Sequence, residues 1–162
     1  MAIYTVSNLS LMGQDKTNGC WYFSAKMIAD WSKKADGGAI KDPVSVDDLK
    51  KLYEGNCGYA LSTCGTLAGK LGMKAQPRQK RGYSDMLTLL KRGPLWAAGF
   101  KGGAENGFAH VVVIGGVADT GVLVLDPLPL NNGGKSWKTW SWLDSFLALG
   151  DESLDANLLS PA

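Results

Sequence analysis

A chain of 162 residues is long enough to bury its own core and short enough to form a single domain over 1–162. Apolar residues at 45% and charged residues at 20% match an ordinary globular protein, which sets aside a disordered or fibrous chain. The formal net charge is only +2, with lysines and arginines spread along the chain, so neither nucleic acid nor a membrane surface is an expected partner.

No apolar run approaches the roughly 18–20 residues needed to cross a bilayer. The stretch Met1-Ala2-Ile3-Tyr4-Thr5-Val6-Ser7 lacks the basic and apolar regions of a signal peptide. The expectation is a cytoplasmic protein, or one exported by a specialised route that does not read this end. Three cysteines, Cys20, Cys57 and Cys64, cannot all pair, which favours thiols over a disulfide framework and leaves a Cys57–Cys64 bridge as the alternative. With one histidine and no CxxC or HxxxH pair, no metal and no cofactor is expected.

The helical part comes first. From Cys20 to about Lys33 the apolar residues are too dense for a surface helix, so a long, buried, central one is predicted, capped by Asn18-Gly19. A second helix is predicted from Ser45, where Ser45-Val46-Asp47-Asp48 supplies a cap and early acids. A third covers Ser62–Leu71 and ends at Gly72. A fourth starts at Ser84-Asp85 and stops at Gly93-Pro94. Strands follow at Leu95–Phe100, Ala109–Val117 and Val122–Leu125, the last two joined by a tight turn over 118–121. The stretch Trp137–Trp142 and a helix-like Trp142–Leu149 come next, and the last dozen residues carry no signal. Helices first and an antiparallel sheet second is an α+β arrangement.

Three residues at element ends carry the chemistry. Cys20 opens the long helix, His110 heads a strand, and Asp126 ends the next one. A free thiol is mostly protonated at neutral pH, its pKa being about 8.5. A helix N-terminus and an imidazolium both favour the reactive anion, and only His110 can supply the imidazolium. His110 would protonate a leaving amine and then activate water, with Asp126 holding its ring. The backbone N–H of Cys20 and the amide of Gln14 are the expected oxyanion donors, a single good donor being worth about 3–4 kcal/mol. Cysteine on an apolar helix is usually core; it is the order Gln14, Cys20-Trp21, His110, Asp126 that favours catalysis. Trp21 is expected to be structural, and Cys57 and Cys64 to be buried thiols. Trp137, Trp140 and Trp142 are placed in the core or at its rim, one of them a candidate to shield the His110–Asp126 contact. The loop Lys101–Gly107 is either plain surface or a flexible substrate rim.

The pattern resembles the papain-like cysteine peptidases: a glutamine six residues before a Cys-Trp pair, then a histidine heading a strand, then an Asn or Asp about sixteen residues later. Gln14, Cys20-Trp21, His110 and Asp126-Pro127 occupy all four positions. Gly93-Pro94-Leu95-Trp96 is similar to the strand entry of compact bacterial members, such as the AvrRpt2-like effectors and the peptidase domains of bacteriocin-exporting transporters. Thr17-Asn18-Gly19-Cys20-Trp21 differs from the Cys-Gly-Ser-Cys-Trp of eukaryotic members, no maturation pro-segment is evident, and Asp126 stands for the more familiar asparagine. The resemblance implies a papain-like fold and a selective bacterial peptidase acting through a Cys20 thioester. It further implies an effector or toxin role in a target cell's cytoplasm, a protein substrate cut after small residues such as Gly-Gly, and a cognate immunity or inhibitor protein. The alternatives are a peptidoglycan-peptide amidase, a deamidase or transglutaminase-like enzyme with the same site, and a binding module that has lost catalysis.

Overall fold

A computed structural model describes residues 2–101, 108–151 and 154–162. The order of elements is β1 (Tyr4–Thr5), α1 (Cys20–Ala35), α2 (Asp47–Glu54), α3 (Cys64–Leu71), β2 (Lys74–Ala75) and α4 (Tyr83–Leu90), followed by β3 (Leu95–Lys101), β4 (Phe108–Ala118), β5 (Gly121–Asp126), β6 (Gly134–Thr139), α5 (Trp140–Leu147) and β7 (Leu158–Ser160). The strands form one antiparallel sheet in the order β2-β7-β3-β4-β5-β6, with β1 added to β4. This is the α+β arrangement, helices first and one antiparallel sheet after them, that the sequence implied.

The valine run of β4 is continuous because both faces of the sheet are covered. Side chains alternate along a strand. Val111 and Val113 join Trp21, Ile28, Leu67 and Trp96 in the core beneath α1, whereas Val112 and Ile114 join Met86, Leu90, Val124 and Phe146 beneath α4 and α5. Two contacts fix α1 against the sheet. Ser24 Oγ donates to the Val111 carbonyl at 3.3 Å, and the Trp96 indole donates to the carbonyl of Trp21 at 3.0 Å. They hold the first turns of α1 beside the start of β4.

Several local expectations shift. The second helix does not start at Ser45: Pro43–Ser45 is a separate 3₁₀ turn, and α2 begins at Asp47 after Val46. Asp42 takes the capping role, accepting from Val44 N–H at 3.0 Å, because Pro43 at the first position favours a turn there. Ser45 Oγ donates back to Asp42 instead. Gly19 is the residue before α1, and the side chain of Asn18 bonds Asn56 rather than capping the helix. The stretch Trp137–Trp142 is divided between β6, which ends at Thr139, and α5, which starts at Trp140 rather than Trp142 and is capped by the Thr139 hydroxyl through Trp142 N–H at 3.1 Å. The featureless C-terminus supplies β7, which sits between β2 and β3. Residues 102–107 of the loop suggested as a substrate rim lie outside the described residues.

Candidate active site

The site is assembled where α1, β4 and β5 come together. Cys20 is the first residue of α1, half-buried, with its sulfur over a cleft. N–H groups in a helix's first turn have no acceptor inside the helix, so the Cys20 end of α1 offers donors and a positive potential. His110 is buried at the start of β4, and its Nε2 lies 2.7 Å from Asp126 Oδ1 at the end of β5. Asp126 Oδ1 also accepts the Leu128 N–H at 2.9 Å, which fixes the carboxylate. The same imidazole is also hydrogen-bonded to the Cys20 side chain. With Nε2 committed to Asp126, Nδ1 is the nitrogen left for sulfur.

Electrostatics favour a charged ring. Burial alone would push the pKa of His110 down, but the bonds to Asp126 and Cys20 outweigh it and hold the value up at about 9. Burial likewise works to raise the Asp126 pKa, and the bond to His110 outweighs it, so the carboxyl stays below its ordinary range. At neutral pH the imidazolium and the carboxylate are therefore both ionised.

Gln14 stands just before this centre. Its backbone is tied to the loop after Asp126: Gln14 N–H donates to the Pro127 carbonyl at 2.9 Å, and Asn131 N–H donates to the Gln14 carbonyl at 2.8 Å. Gly13 makes this approach possible, because a Cβ there would stand 2.5 Å from Asn132 N. The side chain is fully buried. Its Nε2 donates to the carbonyls of Lys16 and Thr17 at 2.8 and 3.0 Å, while Oε1 has no partner among the described residues. Cys20, His110 and Asp126 are thus brought together, and Gln14 lies beneath the Cys20 loop with its amide turned to that loop, outside the cleft wall.

The cleft encloses about 300 Å³ and is bounded by Trp21, Tyr59, Val111, Leu128 and the Cys20–His110 pair. Gly58 and Tyr59 line one part of the cleft that the sequence did not mark, and the residues just before them hold that segment in place. Asn56 makes two hydrogen bonds to Asn18, both at 3.0 Å, and the Trp21 indole donates to the Cys57 carbonyl at 3.0 Å. Tyr59 packs against Trp21 with ring centroids 5.3 Å apart. Asn56-Cys57-Gly58-Tyr59 carries only a turn signal, so its place at the cleft was invisible before folding. Trp21 is core, as expected, yet also contributes to the cleft. None of Trp137, Trp140 and Trp142 lines it. No disulfide joins the described cysteines: Cys57 is exposed, and Cys64 is buried, its thiol pushed up to about 12 by burial, with Asp155 adding to the effect.

Cysteine, imidazole and carboxylate in one line beside a cleft can carry out acyl transfer through a thioester. Among curated proteins, none matches the chain at a significant level. The model of one family, described as papain-like cysteine protease AvrRpt2, matches residues 3–144, a span that includes Gln14, Cys20, His110 and Asp126, and the chain therefore belongs to this family of papain-like cysteine proteases.

Proposed function

We propose that this protease acts on a specific protein substrate through Cys20, His110 and Asp126, as a single peptidase domain over 1–162 delivered as an effector or toxin into a target cell's cytoplasm. The observation that carries the reading is the continuous hydrogen-bonded line from the Cys20 thiol through His110 to Asp126 at one wall of the cleft. The Cys20 sulfur, having given its proton to His110, attacks the scissile carbonyl and forms a C–S bond. The carbonyl oxygen takes up negative charge beside the Cys20 N–H. As the C–N bond breaks, the imidazolium protonates the departing amine, leaving a thioester and a neutral ring. The ring then removes a proton from water, which attacks the thioester and frees the acid and the thiol.

Gln14 is the proposed second oxyanion donor. Reaching the oxyanion requires its amide to leave at least one loop carbonyl. The present orientation leaves Oε1 buried and unpartnered, a standing cost of about 1–3 kcal/mol that offsets part of the bond given up.

A cleft of about 300 Å³ lies at the small end of ligand-binding cavities, which supports a selective enzyme over a broadly degrading one. Cleavage after small residues such as Gly-Gly and a cognate inhibitor protein seated over the cleft complete the proposal. The test compares wild type with Cys20→Ala in one cell lysate by sequencing new N-termini, with purified murein as a parallel arm. One or a few new N-termini, absent with Cys20→Ala, support it. Released muropeptides with no new protein N-termini assign the amidase reading, and full turnover by Cys20→Ala or His110→Ala overturns the site.

A further inference from the structure

At the end of β4 remote from His110 lies a second cavity, of about 500 Å³, whose wall includes Arg81, Gly82, Tyr83 and Trp140. It shares no lining residue with the cleft. Arg81 is only 9% exposed. Its guanidinium has five N–H donors, of which Nη2 donates to the Pro77 carbonyl at 2.7 Å, while Nε is buried with no acceptor among the described residues. The next residue, Gly82, is the N-cap of the eight-residue helix α4, and no side chain caps that end. Gly82 and Tyr83 at that end line the same cavity, and a helix N-terminus carries a positive potential. Arg81 and an uncapped helix terminus thus share one cavity wall, and both favour an anion.

The surroundings select which anion. The wall carries two positive groups, Lys80 and Arg81, and two negative ones, Asp119 and Asp144, with Lys80 Nζ 3.5 Å from Asp144. Asp85, in the first turn of α4, acts on Arg81 through space. With Asp85 counted, the fixed charges already include more negative groups than positive ones, which disfavours the two charges of a phosphate more than the single one of a carboxylate. A planar carboxylate matches the donor fork of arginine. The polar tips of the two rings are already tied, Tyr83 Oη to the Ala2 carbonyl at 2.5 Å and the Trp140 indole to the Asp119 carbonyl at 2.7 Å, which leaves their apolar faces for a ligand body.

We propose that this cavity binds a monocarboxylate with a flat apolar body, its carboxylate on Arg81 and the N-terminal amides of α4, its body against Tyr83 and Trp140. Heteronuclear NMR of the full chain tests this by titration with benzoate, N-acetylphenylalanine, N-acetylphenylalaninamide and inorganic phosphate. The Arg81 Nε–H, the Gly82 and Tyr83 amides and the Trp140 indole should move together and saturate with at least one of the two acids. Saturation by benzoate alone assigns a free small acid; saturation by N-acetylphenylalanine alone assigns a chain terminus. The uncharged amide and phosphate should bind at least about tenfold more weakly, the equivalent of one lost charge-assisted bond. Arg81→Met keeps the apolar stem and should abolish the shifts while Cys20-dependent proteolysis continues. If that variant fails to fold, Arg81→Lys, which keeps the charge without the fork, should also weaken binding. No saturable shift with either acid, equal affinity for the amide, or unchanged affinity in the folded Arg81 variant overturns the site.

Discussion

At the scale of single residues, the chemistry turns on which state of His110 persists at working pH. Its pKa, held up at about 9, keeps the ring charged across the neutral range, ready to protonate a leaving amine. Activity should therefore fall on an alkaline limb near pH 9. Asp126→Asn keeps an acceptor for Nε2 but removes the negative charge, so that limb should move to lower pH; a pH–rate profile of kcat/KM in both proteins checks it. Asp126→Ala should lose less rate than the about 10²–10⁴-fold that a general acid–base group itself contributes, because it orients the ring without exchanging the proton. Gln14 separates two roles. As an oxyanion donor it should, on mutation to Ala, lose about 10²-fold in kcat with KM little changed. As a mere brace of the Lys16–Thr17 loop it would show a lowered melting temperature and a raised KM instead, so steady-state kinetics beside thermal unfolding decides between them.

At the scale of elements, what the sequence disclosed depended on how local the cause was. α1 was legible because its apolar density and its Cys-Trp start lie within one stretch. β4 and β5 were legible as short β-branched runs around a tight turn. β7 was not, because Leu158–Ser160 becomes a strand only by pairing with β2 and β3. Its anchor is equally remote: Arg78 donates to the Asn157 side chain at 2.8 Å and to the Leu154 carbonyl at 3.0 Å, and Asn157 Nδ2 donates to the Ala98 carbonyl at 2.8 Å. Of the candidate site, the meeting of Cys20, His110 and Asp126 was legible through spacing, whereas the Gly58–Tyr59 wall depends on a contact between Asn18 and Asn56 that no local pattern encodes. Gly99 illustrates a packing constraint hidden in the same way. It pairs with His110 across β3 and β4, and a Cβ there would fall on the Phe146 carbonyl of α5. Gly99→Ala must push α5 off the sheet or bend the strand opposite the histidine. Overpacking of this kind costs about 3 kcal/mol at the upper end, or about 6–12 °C of melting temperature for a chain of this size. Calorimetry should show that drop, and an unchanged melting temperature would mean that α5 stands off more than its packing implies.

At the scale of the whole molecule, the His110–Asp126 pair ties β4 to β5 beside the start of α1, so protonation should be felt in global stability. His110 has a folded pKa of about 9 against an ordinary value of 6.5, so its contribution is fully present below about pH 6.5 and is lost as pH rises through about 9. Asp126 runs the other way: with its folded pKa below 3.8, its contribution is present above that value and is lost as pH falls through the folded one. The pair thus stabilises the fold most between about pH 4 and about pH 6.5. Other groups titrate over the same range, so the useful quantity is a difference between two proteins at each pH. Wild type should melt well above Asp126→Asn near pH 6, where the variant has lost the partner of a charged ring. The gap should narrow by about pH 10, where the ring is neutral in both proteins and the carboxylate has no cation left to hold. A gap of the same size at both pH values would mean that the imidazole is not held charged by its neighbours, and the alkaline limb of activity would then need a different group.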